Sequence, residues 1–526
     1  MSLFKTSSKT VSLHIMAVAQ RNDILSAARS TARAPLKAPR PRPDKESGLA
    51  WFVYILFAAA VVLEQYYSSE LYPEDIGRYL PFFEDVATWT GIKGLSFSLG
   101  EIFMSLALIA LLLKVVSTRG FRFDRGSLLR PLGLYMLMVL VGEIHGLITG
   151  GNRTLSLWEV RGQVYMLVAY LLPCNLIKTR RGVTALVWII VIGTGVKALQ
   201  GLYRWQVDLA GNIHTVESLF PHEQSFFFNG LLLLTITLFL YGGSRRLKGA
   251  ALFLLPFVLI VDLANQRRAA VLGIVVGIAA LFAVTAIIHP ARRRVVIAIA
   301  VMLAIAWTPY YAAFKNSTGL TGEIAHAVNS NTHPDPRDAS SNLYRDNENA
   351  DIMYTMKSNL TSQIIGVGYG KHMDAPYPLA QIDYIFWDIM PHNSVLWVWM
   401  RLGTAGYLLF WILIGTAIVQ AMRVARRLTD PYLKGLAVWI GIMVMQQVIF
   451  GYLDLQWTSY RNLVTMGILF ALIGRLGQLG HREAAPTALP RTDDNVPPPA
   501  HDWARRPDLP RALSVIDGRL SHKIKQ

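Results

Sequence analysis

The feature that most constrains this chain is a series of apolar runs, each roughly 20 residues long, that recurs along most of its length. A helix of about 20 apolar residues crosses the hydrocarbon core of a bilayer, which is roughly 30 Å thick. The runs are continuous and do not alternate every second residue, so they indicate helices and not the strands of a barrel. The sequence therefore predicts an all-α polytopic membrane protein with about twelve spans.

Composition and span positions agree with this fold class. Of the 526 residues, 53% are hydrophobic and 16% are charged, whereas soluble domains carry roughly 25% charged residues. Arg267 and Arg268 interrupt the long run 250–288 and favour two helices there. The predicted spans are 51–67, 95–116, 128–148, 159–177, 183–205, 225–241, 250–266, 269–288, 295–312, 392–420, 435–453 and 462–477.

Basic residues are concentrated between every second pair of predicted spans, as the positive-inside rule requires of cytoplasmic loops. This map predicts that both termini are cytoplasmic and that the long loop 313–391 lies outside. The formal charge of +17 then follows from topology and does not imply a nucleic-acid partner. The clusters are 119–130, 178–181, 245–248, 292–294 and 423–434.

The remaining segments divide into tails and one large loop. Residues 1–50 and 478–526 are polar, basic and rich in proline, which predicts disordered cytoplasmic tails. Cys174 is the only cysteine, so an intramolecular disulfide and a cysteine-based metal site are excluded. The loop 313–391 is too long for a simple connector and is predicted to be functional.

The loop contains a helix signal, a glycine-punctuated turn and a histidine. An amphipathic helix is predicted because four apolar residues recur at multiples of four. The turn is GVGYG, and His392 follows Pro391 at the start of the next span. A lone histidine is often structural, but its position opposite outer arginines favours a catalytic role. The four apolar residues are Tyr344, Ile352, Met356 and Leu360.

Arginines on the outer side break the positive-inside pattern. Arg267 and Arg268 either extend to lipid headgroups or form an anion site, and their adjacency favours the anion site because a guanidinium matches phosphate oxygens. Arg161 lies within a predicted span, where Glu159, Glu143 or a bound anion would neutralise it. Glu143 and His145 form either a structural polar pair or part of a site. Further outer-side or intramembrane arginines are Arg153, Arg204, Arg401 and Arg461.

The order of these motifs resembles the O-antigen ligase and O-antigen polymerase superfamily of bacterial envelope glycosyltransferases. The matching residues are Arg268 in RRAAVLG, Arg345 in LYRDNENADIMY, the GVGYG turn 366–370, and His392-Asn393 with Leu396. Arg401 departs from the family pattern, in which an acidic residue is common. The motifs cover residues 250–420, and the topology extends the resemblance over 51–477.

The resemblance implies transfer of a glycan from an undecaprenyl-pyrophosphate donor to an acceptor hydroxyl at the periplasmic face of the bacterial inner membrane. His392 would be the general base, and arginines would stabilise the pyrophosphate that leaves. We predict no metal and no cofactor, and the family mechanism implies inversion at the anomeric carbon. The predicted pyrophosphate ligands are Arg268, Arg267, Arg161, Arg204 and Arg345. The predicted supporting residues are Asn393, Glu143, His145 and Tyr369.

Several alternatives stay open on sequence alone. The acceptor distinguishes a polysaccharide polymerase, which we favour, from a ligase that transfers to lipid A core and from a protein O-glycosylase. A transporter or flippase would also carry intramembrane charges, although it would usually show internal repeats. GVGYG is similar to a potassium-channel filter, but the polar segment before it and Lys371 after it disfavour a channel.

Overall fold

The computed structural model describes residues 46–63, 82–91, 96–212, 218–317, 319–379 and 386–484. These residues form α-helices and include no strand. Most of the two predicted tails lies outside them, although α16 continues past the predicted span end at residue 477. The helices are α1 (Ala50–Val62), α2 (Val86–Thr90), α3 (Leu99–Ser117), α4 (Leu129–Ile148), α5 (Arg153–Leu176), α6 (Arg180–Tyr203), α7 (Gln224–Tyr241), α8 (Arg245–Ala264), α9 (Arg268–Ile288), α10 (Arg293–Phe314), α11 (Glu323–Asn329), α12 (Pro336–Lys357), α13 (Leu360–Ile365), α14 (Ser394–Arg427), α15 (Pro431–Leu453) and α16 (Tyr460–Ala484).

Ten helices in the described part of the chain are long and apolar enough to cross a bilayer, which confirms the all-α polytopic fold class. The other two predicted spans correspond to α1, which is 13 residues long, and α5, which contains Arg153, Glu159 and Arg161. The count of about twelve spans stays a prediction. The ten helices are α3, α4, α6, α7, α8, α9, α10, α14, α15 and α16.

The spans leave two distinct ends of the helical bundle. Short turns join α8 to α9 and α14 to α15, so these neighbours run in opposite directions. The described residues of segment 315–393 lie at one end, which we call the long-loop side, and Arg267 lies at the α8–α9 turn on that same side. All five basic clusters identified in the sequence occupy turns at the opposite end.

The protein core lies between α5, α7, α15 and α16, whose side chains are largely buried. Without a hydrophobic driving force between helices in lipid, close packing depends on small residues at the contact. Gly467 of α16 supplies one, since a Cβ there would lie 2.3 Å from the carbonyl oxygen of Met166 in α5. By contrast, α10 exposes almost all of its side chains at the edge of the bundle.

Helix α14 is divided by a kink at Gly403, whose φ of 62° and ψ of −171° are not helical. A backbone with this geometry is open almost only to glycine. The kink brings residues 364–366 against the helix, where a Cβ on Gly403 would lie 2.4 Å from the nitrogen of Gly366. The first two turns of α14, which follow His392, therefore form a short segment packed against the GVGYG turn.

The predicted amphipathic helix of the long loop is α12, and its buried face carries Tyr344, Ile352 and Met356. The assignment of Leu360 to the same face is wrong, since this residue is 69% exposed. The helix ends at Lys357, and the side chain of Asn359 then accepts a hydrogen bond from the nitrogen of Ser362. Because Asn359 caps a separate helix, Leu360 begins α13 and does not continue α12.

Candidate active site

Five chain segments meet at the long-loop side around His392. They are the start of α9, helix α12, the residues before α14, the segment 218–223 before α7, and Asp454 directly after α15. Four of these segments begin or end a span at this end of the bundle, and the fifth, α12, belongs to the long loop. Their polar side chains are therefore gathered without any of them having to lie in the lipid-exposed middle of a span.

His392 is fixed by Glu348 of α12 at two points. The backbone nitrogen of His392 donates to one carboxylate oxygen of Glu348 at 3.0 Å, and the ring atom Nδ1 lies 3.1 Å from the other. A carboxylate only accepts hydrogen bonds, so Nδ1 carries the proton. The ring also contacts Tyr344 edge-on, with centroids 5.4 Å apart. Proton exchange with a substrate is thereby assigned to Nε2.

A second histidine–carboxylate pair faces the first. Nδ1 of His222 lies 2.5 Å from Asp454, and the His222 ring lies 6.3 Å from the His392 ring at 82°. Burial and the nearby Arg267 lower the pKa of His222, and Asp454 opposes them. The pKa of Asp454 is itself lowered: burial raises it, but His222, His392 and Arg267 together lower it by more. The pair thus consists of a neutral imidazole and an ionised carboxylate near neutral pH.

Three of the predicted anion-binding arginines lie around these two pairs. Arg267 donates from Nη2 to the hydroxyl of Ser218 at 2.7 Å. Arg268 donates to the side-chain oxygen of Asn342 at 2.9 Å, and its Nε lies 3.4 Å from Asp338 of α12. Arg345, also on α12, lies within electrostatic range of Arg268, and its buried Nε has no hydrogen-bond partner in the described part of the chain.

Two other predicted residues border the cluster. Arg204 donates from Nη1 to the carbonyl oxygen of Leu219 at 2.7 Å and so adjoins the segment that carries His222. Asn393 caps α14, since its side-chain oxygen accepts from the nitrogen of Leu396 at 3.1 Å. Its amide nitrogen donates to Asn349 of α12 at 3.1 Å. Asn393 therefore holds α12 over the start of α14, next to His392.

The remaining predicted residues make their contacts elsewhere. The guanidinium of Arg161 bonds to Asp85 and lies 3.3 Å from Glu101, so acidic residues near α2 and α3 already neutralise it. Glu143 accepts a hydrogen bond from Ser156, His145 lies in the last turn of α4, and the buried Tyr369 ring packs 5.9 Å from Trp397. Tyr369 belongs to the GVGYG turn, and Glu143 and His145 lie on α4, whose Gly142 oxygen accepts a hydrogen bond from the Tyr369 nitrogen.

Arg401 anchors this turn from inside the protein. Its side chain and that of Glu159 are both fully buried, with Nε 2.6 Å from the Glu159 carboxylate. Its remaining nitrogens donate to carbonyl oxygens of Gly368 at 3.1 Å, Lys371 at 2.7 Å and Ile389 at 2.8 Å. Because these bonds join α5, the turn and the segment before His392, Arg401 has a structural role.

The same contacts bear on the similarity to a channel filter. A filter presents carbonyl oxygens to a permeating ion. Here the Gly368 oxygen accepts from Arg401, and the Val367, Gly368 and Tyr369 nitrogens donate to backbone oxygens of α14 and α4. The positive φ angles of Gly366, Gly368 and Gly370 therefore serve to wrap the turn around a fixed guanidinium.

Sequence reasoning missed Glu348, His222 and Asp454. Glu348 carried a signal, because it stands at the same spacing of four as Tyr344 and Ile352, which places an acidic residue on a buried face. His222 precedes a span and Asp454 follows one, positions that ordinary surface residues also occupy. Only the folded chain shows that these two residues are paired.

Searches of known protein-family profiles and of curated protein sequences find no match to this chain. The resemblance to the envelope glycosyltransferases thus rests on the motifs quoted above. Membership of that superfamily stays a prediction, and the function has to be argued from the site itself.

Proposed function

We propose that this protein is a glycosyltransferase that moves a glycan from an undecaprenyl-pyrophosphate carrier to an acceptor hydroxyl at the periplasmic face of the inner membrane. The observation that carries the proposal is the His392–Glu348 pair at the end of the spans, together with Arg268, which pairs with the same helix α12 through Asp338. Within the superfamily we favour a polysaccharide polymerase, with ligation to lipid A core as the alternative. A transporter or flippase is the alternative from another class.

The imidazole supplies the base that this reaction needs. The acceptor hydroxyl must lose its proton as its oxygen bonds to the anomeric carbon, and an imidazole accepts a proton near neutral pH. Glu348, with its side chain 1% exposed, orients the ring of His392 and stabilises the imidazolium that forms. The proton passes to Nε2, because Nδ1 is already bonded to Glu348.

The arginines supply the charge that the leaving group needs. Breakage of the bond between the anomeric carbon and the phosphate oxygen leaves its electron pair on the pyrophosphate. Arg268 is 23% exposed in its side chain and bonds to the neutral amide of Asn342, a contact that a phosphate oxygen can replace. Arg345 adds a second cation on the facing helix, within electrostatic range of Arg268, and its Nε is a buried donor.

The orientation of the chain belongs to the same proposal. The five basic clusters lie at the end of the bundle opposite to His392, and basic turns stay preferentially in the cytoplasm. Twelve spans, with α1 and α5 counted, then place both termini in the cytoplasm. Segment 315–393 becomes a periplasmic loop, and the site opens where lipid-linked glycans are exposed after their export.

A reconstituted assay tests the proposal and separates its alternatives. Purified protein is incubated with a fluorescent lipid-linked oligosaccharide, with and without lipid A core, and the products are resolved by length. A ladder without core identifies a polymerase, and a single core-dependent product identifies a ligase. Absence of any product, with movement of the intact lipid-linked glycan across a vesicle membrane, would instead identify a transporter.

Substitution of Arg268 tests the anion site within the same assay. Loss of a hydrogen bond to a charged group costs about 1.5–3 kcal/mol, so we expect Arg268→Gln to reduce transfer roughly 10- to 100-fold. Arg153→Gln is the matched control, because Arg153 is exposed at the same end of the bundle. If both variants transfer glycan at the wild-type rate, Arg268 merely extends to lipid headgroups.

A further inference from the structure

We propose that His222 is a second general base of this site, so that two imidazoles serve one proton-transfer step. The proposal rests on the proposed glycan transfer and deepens it. His392 and His222 come from different segments, yet each is bonded at Nδ1 by a carboxylate. The two rings face one another at 6.3 Å.

Burial separates the carboxylates from the rings. The side chains of Glu348 and Asp454 are 1% and 4% exposed, whereas those of His392 and His222 are 16% and 26% exposed. Each carboxylate thus lies behind its ring, as an orienting residue does in a catalytic triad.

The tautomer follows from the same contact. Asp454 only accepts, so the proton of neutral His222 resides on Nδ1 and the lone pair on Nε2. A second proton therefore binds at Nε2, as in His392. With their centroids 6.3 Å apart, the two rings belong to one site.

The charged groups around His222 decide when it can act as a base. Arg267 faces it from the start of α9 and His392 from the start of α14; Asp454 binds it from the end of α15, and Glu348 lies behind His392 on α12. Burial and Arg267 lower the pKa of His222 below the ordinary value of 6.5. His222 therefore stays unprotonated, and able to accept, at pH values where an ordinary histidine is charged.

Each ring also affects how readily the other takes up a proton. While His392 carries a proton, the pKa of His222 is lower, so a second proton binds less readily than the first. When His222 serves as the base, the acceptor hydroxyl gives its proton to Nε2 of His222 in place of Nε2 of His392, and its oxygen bonds to the anomeric carbon. The bond from that carbon to the phosphate oxygen breaks, the pyrophosphate keeps the electron pair, and the proton on His222 passes to solvent.

The test compares His392→Gln, His222→Gln and the double variant for glycan transfer between pH 5 and 8. General base catalysis contributes about 10²–10⁴-fold. We expect His392→Gln to keep a residual rate that the double variant loses by a further factor of about 10 or more. The residual rate of His392→Gln should fall with acid only below pH 6.5, because the base that remains has a lowered pKa. Equal rates in His392→Gln and the double variant would overturn the proposal.

A second measurement needs no glycan transfer and so separates this proposal from the proposed function. Diethyl pyrocarbonate modifies unprotonated imidazoles, and mass spectrometry of the full-length protein resolves each histidine. We expect His222 to react with a midpoint below pH 6.5, with exposed His372 as reference. Removal of the attracting anion in Asp454→Asn should lower that midpoint further. An unreactive His222, or a midpoint above 6.5, would contradict its role as a base, whether or not the wild type transfers glycan.

Discussion

Two ionic clusters flank the first turns of α14, and they differ in how completely the protein surrounds them. Around Arg401, the ion pair with Glu159 is 0% exposed on both sides, and the guanidinium bonds to three carbonyl oxygens as well. Around His392, the two imidazoles and Arg268 remain partly exposed, at 16%, 26% and 23%. The first cluster holds segments together, whereas the second presents charges and bases to a ligand.

The difference shows that a charged residue within a span is not by itself a functional signal. Such residues are rare and usually face a partner or a cavity, and Arg401 has its partners inside the protein. Arg461 resembles it, since it bonds to the Ala60 and Val61 carbonyl oxygens and to Gln224 and packs over the Phe227 ring. What distinguishes the His392 cluster is exposure combined with buried carboxylates behind the rings.

Substitution of His392 should give the largest effect of all. We expect His392→Gln to lower glycan transfer by about 100-fold, at the low end of general base catalysis because His222 remains. The unfolding temperature should stay close to that of the wild type. His372→Gln is the matched control, since His372 bonds to Asp388 at 2.6 Å on the same segment but is 59% exposed. A comparable loss in the His372 variant would show that the two histidines are not functionally distinct.

Substitution in the Arg401 cluster should instead affect folding. Removal of one partner from a buried ion pair costs about 3–5 kcal/mol, because the other charge stays buried. We therefore expect Arg401→Gln to lower the unfolding temperature in detergent and the amount of monodisperse protein. Arg268→Gln should leave both unchanged. A stable Arg401→Gln protein with reduced transfer would mean that the two clusters have been assigned the wrong way round.

Substitution at the kink between the two clusters should give the smallest of the three effects. An alanine at Gly403 would adopt a glycine-only backbone, a strain of roughly 1–3 kcal/mol, and would press its Cβ against residues 364–366. Gly403→Ala should lower the unfolding temperature accordingly. Gly415→Ala is the control in the same helix, since a Cβ there has no atom within 4 Å. Equal unfolding temperatures in the two variants would show that the kink does not support the segment that carries His392.

The sequence was sufficient to predict where the spans lie and insufficient to predict which side chains pair with one another. Continuous apolar runs define helices locally, and α7, α9 and α15 begin within a few residues of their predicted starts. Arg267 and Arg268 do separate α8 from α9, as predicted. Span count, orientation and function stay predictions, since neither length nor composition shows a membrane side or a substrate.

The pairing of these side chains could not be predicted from the sequence, because it joins residues that are far apart in the chain. Glu159 and Arg401 are 242 positions apart, and Glu159 was considered as a partner for Arg161, which instead pairs with Asp85 and Glu101. His222 and Asp454 each look like ordinary helix-end residues. Glu348 carried a local signal, since its spacing of four from Tyr344 and Ile352 places it on the buried face of α12.

The most direct test of the account measures the carrier that the reaction releases. Purified wild-type protein is given lipid-linked oligosaccharide, and undecaprenyl pyrophosphate is quantified against the glycosidic bonds formed. The account predicts one carrier pyrophosphate released for each bond, and a parallel loss of both products in His392→Gln protein that is still folded. Bond formation without carrier release, or no release from any lipid-linked glycan with either acceptor, would contradict it.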